Sequence, residues 1–345
     1  MEYICGKFEV LSLGDLRQNI DLNSELVTSV LSSDGSGISV KNLSDDVSNQ
    51  HYKPHNKLAT FQGASQFNCL EFATAQGSPE NGVTCYAMDK TQGPCCAVTC
   101  SPGTVVRNYF AFDKHKTRTE AFDFLKPDAQ CEAMTIAENL EPNEPQMKNR
   151  QLNCLDQIDA LLQNNNSKYF TVKNGYTDST PAKLVEFNKF LDDTPGILEK
   201  MAQSFHSGIQ FDTEVVAPNF GNNIIFTKDP AHKILVTQVY NSAISVSYSN
   251  ATKSKWEKFA QFILDCAYEF SFYVATLNAL KHNGKHGSKK LYLTKLGGGV
   301  FGNRDEWIIK AIRKSLQKFK TVGLEVYIVN YGAIEPAYKT VGDNL

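Results

Sequence analysis

The most distinctive chemistry in this chain of 345 residues lies in one glycine-rich run and three short polar stretches. The run is Gly297-Gly298-Gly299-Val300-Phe301-Gly302, followed by Asn303 and Arg304. Glycines take positive φ and let the backbone come close to another atom. Successive N–H groups in such a turn donate to an anion, and the positive end of a following helix adds to the field. The chemistry implied is the cradling of phosphate oxygens. A Walker loop would end in Gly-Lys-Ser/Thr, whereas Asn303 and Arg304 follow Gly302 here. The run matches G-x-G-x-x-G. A Rossmann turn, however, opens its unit and has an acidic partner about 20 residues on. This run lies near the C-terminus, with Glu325 alone at comparable distance. A tight turn serving only close helix–sheet packing has the same composition.

The carboxylate that best suits catalysis is Asp89, in Tyr86-Ala87-Met88-Asp89-Lys90-Thr91-Gln92-Gly93-Pro94. It stands beside Thr91 and Gln92 in a loop between apolar segments, where functional residues concentrate. A carboxylate there can act as a general base that activates a water. Asp-x-Thr in a loop is also an ordinary turn cap. Glu71 is the second carboxylate, with a surface or first-turn helical acid as its plainer reading. Gln66 and Asn68 are amides among small apolar residues, suited equally to ligand recognition and to buried structural hydrogen bonds. Asp305 reads as a first-turn helical acid, and Arg107 and Asn108 as part of a solvated face. Among nine cysteines, Cys95, Cys96 and Cys100 lack paired C-x-x-C spacing, and His51 and His55 lack a cysteine pair, so no metal site is expected. No spacing supports a cysteine nucleophile, and no cofactor is called for.

These residues need elements to hold them. Apolar spacing predicts a strand over residues 233–240, a long helix over 254–281 and a strand over 290–295. The glycine run, a helix over 305–319 and a strand over 324–330 follow. Strand, helix, strand, loop, helix, strand is an α/β unit with a largely parallel sheet, and such sheets bind ligands beyond the carboxyl ends of their strands. Upstream, residues 58–61 and 95–99 read as short buried strands. Helices are expected around Leu152, Leu155, Ile158 and Leu161, and after Pro181. Glu141-Pro142-Asn143-Glu144-Pro145 reads as a boundary. The formal net charge of −2 argues against broad nucleic-acid or anionic-membrane binding. The most apolar long stretch, residues 259–280, is interrupted by Asp265, Glu269 and Asn278. With no secretory signal read at the N-terminus, the cysteines are expected to be reduced thiols in a cytoplasmic protein.

From about residue 254 to residue 338 the chain resembles the second half of a macrodomain. The shared features are a helix carrying Tyr268, a short buried strand, a G-x-G-aromatic-G loop, a helix from Trp307 to beyond Leu316, a final strand, and an ending with Gly332-Ala333 and Pro336-Ala337-Tyr338. The loop GGGVFGN with a nearby tryptophan is also similar to that of poly-ADP-ribose glycohydrolases and effector-type macrodomain hydrolases. The resemblance covers about a quarter of the chain. It implies a macrodomain-like three-layer α/β/α sandwich with a mixed, largely parallel sheet and an N-terminal elaboration. Residues 1–57 would form the extension. Residues 58–345 would form the ADP-ribose-binding domain, with a helical insertion around 113–230.

The resemblance further implies an enzyme that binds ADP-ribose and removes it from modified proteins, with a non-catalytic ADP-ribose reader as the alternative. Gly297, Gly298, Gly299, Val300, Phe301, Gly302 and Asn303 would wrap the diphosphate, with Phe301 near the distal ribose. Asn330 and Tyr331 would sit on the adenosine side. The upstream half departs from the family. The Asn-Ala-Ala-Asn turn of simple macrodomains has two imperfect counterparts, Asn241-Ser242-Ala243 and Gly63-Ala64-Ser65-Gln66-Phe67-Asn68. The glycohydrolase signature of three glycines followed by Gln-Glu-Glu is missing. The catalytic role is thus left to Asp89 or Glu71, and the second wall of the pocket to Gln66, Asn68, Thr91, Gln92 and Asn241.

Overall fold

The computed structural model describes residues 3–33, 35–112, 120–125, 144–216, 233–343 and 345. Cys131, residues 141–143 of the expected boundary and much of the expected insertion lie outside them. The first part of the chain contains β1 (Lys7–Ser12), α1 (Leu13–Asn19), α2 (Glu25–Leu31), β2 (Ser39–Ser44), α3 (Val47–His51) and β3 (Thr60–Ala64). There follow α4 (Gln92–Thr99), α5 (Ser101–Tyr109), α6 (Asp156–Leu161), a hairpin of β4 (Thr171–Lys173) and β5 (Tyr176–Asp178), α7 (Pro181–Asp193) and α8 (Ile197–Gln203). The last part holds β6 (His206–Glu214), β7 (Leu235–Asn241), α9 (Lys253–Lys281), β8 (Lys290–Leu293), α10 (Asp305–Lys318), β9 (Glu325–Asn330) and α11 (Pro336–Lys339).

Seven strands form one sheet in the order β1-β6-β7-β3-β8-β9-β2. Neighbours from β7 to β2 are all parallel, while β6 runs antiparallel to β7 and β1 antiparallel to β6. The sheet is mixed and largely parallel, and the fold is α/β. Residues 1–57 supply β1 and β2, the two edge strands, and so contribute to the same sheet as the rest of the chain.

Period-two alternation sends side chains to two different cores. Leu291, Leu293, Val326 and Ile328 pack under α9 and α10. Phe61, Val236, Tyr292 and Val329 face the other way, against Val47 of α3 and Cys96 and Cys100 around α4. The sheet is therefore the middle of three layers. Its central strands carry apolar residues on both faces, as parallel strands covered on both sides do. α9 is buried on nearly every side from Trp256 to Leu280 because α1, α2, α7 and α10 pack around it on the face away from the sheet. That explains the long apolar run in the sequence. Among the described residues no helix is long and apolar enough to cross a membrane.

Two expectations from sequence are corrected. Residues 95–99 belong to helix α4, not to a strand. All five are buried, so the run has no polar face from which a period could be read, and a short apolar run alone does not separate the two structures. Arg107 and Asn108, expected on a solvated face, are wholly buried in α5. Arg107 is admitted to the interior by its ion pair with Glu71, a residue distant in sequence.

Candidate functional site at the carboxyl edge of the parallel strands

Strands β7, β3, β8 and β9 end side by side, and the chain leaves each of them on the same edge of the sheet. Two walls rise from that edge. The first is the 297–302 loop after β8. Tyr268 of α9 fixes its entry: the hydroxyl donates to the Thr294 carbonyl at 2.6 Å and accepts from the Leu296 N–H at 3.1 Å. Asn303 closes it. The Asn303 N–H donates to the Gly297 carbonyl at 2.9 Å, and its side-chain amide donates to the Ile244 carbonyl at 2.8 Å. The Ser247 N–H donates to the Phe301 carbonyl at 3.0 Å, tying the loop to the segment after β7.

Gly297 and Gly302 are required by this geometry. Their φ angles are +70° and +72°, and a Cβ would collide with Ala243 Cβ at the first and Ser247 Oγ at the second. Gly299 is different: a Cβ there would meet nothing within 4 Å. Among the described residues, the N–H groups of Gly299, Val300 and Phe301 have no hydrogen-bond acceptor. Three consecutive free donors on a turn form a concavity suited to an anion. The Phe301 ring packs beside Tyr176 and Tyr248, with centroids 5.5 and 5.9 Å away. Tyr248 is half exposed, so the trio borders the open side of the loop. Neither Tyr176 nor Tyr248 was legible as a site residue in the sequence. Tyr176 sits in a three-residue strand and Tyr248 in a polar turn, and no local period marks either.

The second wall comprises the segments after β3 and β7. Here the amides read as ligand contacts are bonded within the protein. Gln66 donates to the Phe72 carbonyl at 2.6 Å and accepts from the Phe72 N–H at 3.1 Å. Asn68 accepts from the Leu70 N–H at 3.0 Å and donates to Gln151 at 2.8 Å. Gln92 accepts from the Ala64 N–H at 2.7 Å and donates to the Gln62 carbonyl at 3.2 Å, clamping the end of β3. Asn241 accepts from Ser271 at 2.7 Å and donates to Ser207 at 2.9 Å. Thr91 is exposed and takes the N-cap position of α4. Its N–H donates to Asp89 Oδ1 at 2.8 Å, so Asp89 is a turn cap that remains partly accessible.

Glu71 is 3% exposed and accepts from Arg107 at 2.7 Å. Arg107 also donates to the Cys69 carbonyl and to Thr104, and its guanidinium lies 3.7 Å from the centre of the Tyr240 ring. Burial raises the Glu71 carboxyl more than Arg107 lowers it, leaving it pushed up to about 7. Its Oε2 atom is buried without a hydrogen-bond partner among the described residues. Behind Gln92, the first turn of α4 continues with Gly93 and Pro94 and brings no carboxylate to the edge. A Cβ at Gly93 would strike the Ala64 carbonyl oxygen. Tyr176 joins the two walls: its ring packs on Phe301, and its hydroxyl donates to the Phe72 carbonyl at 2.7 Å.

Asn330, the last residue of β9, and Tyr331 after it complete the edge. Asn330 donates to the Ile328 carbonyl at 3.2 Å and keeps a buried, unpartnered Oδ1, while Tyr331 is 88% exposed. Among the described residues, the buried side-chain oxygens of Thr294 and Asn303, like that of Asn330, have no partner. A large cavity of about 830 Å³ lies elsewhere, among α1 and α7 to α10, lined by Arg17, Phe262, Asp265, Glu269 and Lys314. Its polar groups are occupied by mutual ion pairs such as Arg17–Glu269 and Lys314–Asp265, and it shares no residue with the strand edge.

No protein-family model matches the chain, and no curated protein does. Among solved structures it is similar to the poly(ADP-ribose) glycohydrolase of Deinococcus radiodurans in complex with ADP-ribose. That alignment has a TM-score of 0.44 and 11% identity, and covers 97% of this chain and 91% of the other. The apo form of the same protein aligns with a TM-score of 0.39 and 10% identity, over 97% and 89% of the two chains. The poly(ADP-ribose) glycohydrolase of Thermomonospora curvata aligns with a TM-score of 0.37 and 10% identity, over 96% and 81%.

Proposed function

We propose that this chain binds ADP-ribose, free or attached to a protein, at the carboxyl edge of its parallel strands, and that it hydrolyses the bond joining ADP-ribose to the modified side chain. The observation that carries the reading is the row of three free N–H donors at Gly299, Val300 and Phe301, bordered by the Phe301–Tyr176–Tyr248 cluster. A diphosphate needs convergent donors, and a ribose or flat base needs an aromatic or apolar face beside them. In this reading the loop holds the diphosphate, Phe301 packs on the sugar, and Asn330 and Tyr331 border the adenosine.

Hydrolysis of a glycosidic bond to ADP-ribose needs a positioned water and stabilisation of an oxocarbenium-like ribose. Asp89, partly accessible on the segment between β3 and α4, is the carboxylate assigned to both tasks. Glu71 is a positioning residue: it holds Arg107, which donates to the Cys69 carbonyl in the turn that carries Gln66 and Asn68. Among the described residues every cysteine is a free thiol, which suits a reducing compartment such as the cytoplasm.

One observation favours a second reading, a non-catalytic ADP-ribose reader. The first turn of α4 carries Gln92, Gly93 and Pro94 with no acid, and Asp89 already caps a turn. Calorimetric titration with ADP-ribose, AMP and NAD tests the binding step, and a folded sample that binds none of them ends both readings. Release of ADP-ribose from a mono-ADP-ribosylated protein then separates hydrolase from reader. Asp89→Ala is expected to lower that release about 100-fold, within the usual range for removing a general base, and to leave affinity nearly unchanged. Full activity in Asp89→Ala would remove Asp89 from the mechanism.

A further inference from the structure

Lys253, the first residue of α9, stands against the glycine loop although it lies far from it in sequence. Its Nζ is 3.3 Å from the point a Cβ on Gly302 would occupy. Among the described residues it has no carboxylate partner. Of the other two cations near the loop, one is paired with carboxylates and the other is exposed and lies over an aromatic ring. Lys295, two residues before the loop begins, is paired with Glu335 and lies 3.8 Å from Asp305. The Arg304 guanidinium is placed over the Trp307 ring, 5.4 Å from its centre.

We propose that Lys253 is the charge partner of the bound phosphates. Its ammonium neutralises the anion held by the N–H groups of Gly299, Val300 and Phe301, and so sets a preference for a diphosphate over an uncharged nucleoside. This rests on the ADP-ribose reading of the loop and deepens it. Backbone donors supply only partial charges, so a multiply charged ligand gains from a full cation nearby. A lysine already paired with a carboxylate would have to exchange one partner for another, whereas Lys253 has none to give up among the described residues. Gly302 keeps the approach open, since any side chain there would collide with Ser247 Oγ and crowd the Lys253 ammonium.

The test is calorimetry on the full chain with ADP-ribose, adenosine and inorganic pyrophosphate as probes, each at low and at high salt. The proteins are the wild type, Lys253→Ala, Lys253→Arg and Lys295→Ala, with thermal melts as a check on folding. Lys253→Ala should weaken ADP-ribose and pyrophosphate about tenfold at low salt, the loss of one charge-assisted hydrogen bond at a solvated site. It should leave any adenosine affinity unchanged and flatten the salt dependence. Lys253→Arg should restore most of the affinity, and Lys295→Ala should resemble the wild type. Wild-type affinity for both anions in Lys253→Ala overturns the proposal, as does an equal loss in Lys295→Ala. Pyrophosphate binding that depends on Lys253, with no ADP-ribose binding, would sustain the cation site and reject the ADP-ribose reading. A wild type that binds neither anion rejects both.

Discussion

The segments that leave β8 and β3 start from neighbouring strands on one sheet edge, yet they treat their polar groups in opposite ways. The 297–302 loop is pinned at both ends by Tyr268 and Asn303 and leaves three backbone donors free between them. In the segment after β3, Gln66, Asn68 and Gln92 each bond to neighbouring protein groups, and the Glu71–Arg107 pair underneath is wholly buried. A satisfied buried network rigidifies a wall, because breaking any member strands its partner in a medium of low dielectric. It has little bonding capacity left for a ligand. The pinned loop has rigidity without that closure. Among the described residues, the contrast leaves unused hydrogen-bond donors on the glycine loop and gives the β3 side the work of holding its shape.

The harshest way to break this comparison is to remove one half of the buried pair. Arg107→Met should cost about 3–5 kcal/mol in urea unfolding, since it leaves the Glu71 carboxyl uncompensated in the interior. The double variant Arg107→Met/Glu71→Leu should recover much of that loss. A single variant as stable as the wild type would show that the β3 wall does not depend on its network. On the other wall, Gly299→Glu should weaken ADP-ribose binding by at least roughly 100-fold through like-charge repulsion, with an unchanged melting temperature because a Cβ at Gly299 meets nothing within 4 Å. Unchanged affinity in that variant would remove the loop from the site.

A pH experiment probes the layer behind the β3 wall. His51 stacks 3.7 Å from the Phe61 ring, donates to the Val47 carbonyl and accepts from Gln238. Burial pushes its imidazole down from 6.5 to about 4, with the Val47 bond opposing the shift. Between those values the unfolded chain binds the proton and the folded chain does not. The stability contributed by neutral His51 is therefore complete above 6.5 and is lost as pH falls toward 4, by up to about 3 kcal/mol. Urea unfolding across that window should show a steeper decline for the wild type than for His51→Gln, and parallel curves would count against the assignment. The smallest effect expected is for Gln92→Ala. Losing the clamp on the end of β3 should cost roughly 1–2 kcal/mol and leave ADP-ribose affinity nearly intact. A large loss of affinity with little loss of stability would instead make Gln92 a ligand contact.

The legible parts of the sequence were those whose causes are local. Residues 254–330 follow the expected order of helix, strand, glycine turn, helix and strand, with bounds moved by a few residues. Thr252 occupies the N-cap position of α9, two residues before the expected start. The segment at 95–99 was misread because a helix buried on every side has no amphipathic period to show. Arg107 could not be seen as buried, since the carboxylate that admits it lies 36 residues away. Gln66 and Asn68 stand out in the sequence as amides in apolar surroundings, and Asn241 as a counterpart of the macrodomain turn; all three are buried. Sequence offered no means to tell whether their partners were a ligand or the protein, because hydrogen bonds such as Gln62–Asn241 span 179 residues.

What the sequence determined by itself is the α/β character, the long buried helix and a glycine turn between a strand and a helix. Each follows from residue types within a few turns of chain: apolar periods, breakers, and glycines that alone tolerate positive φ. What only the tertiary structure decided is which groups remain free to act. It closed the β3 wall on itself, brought Tyr176 and Tyr248 to Phe301, and set Lys253 beside Gly302. Availability for binding is the remainder after long-range partners have been assigned, and those partners exist only once the sheet has brought distant segments together.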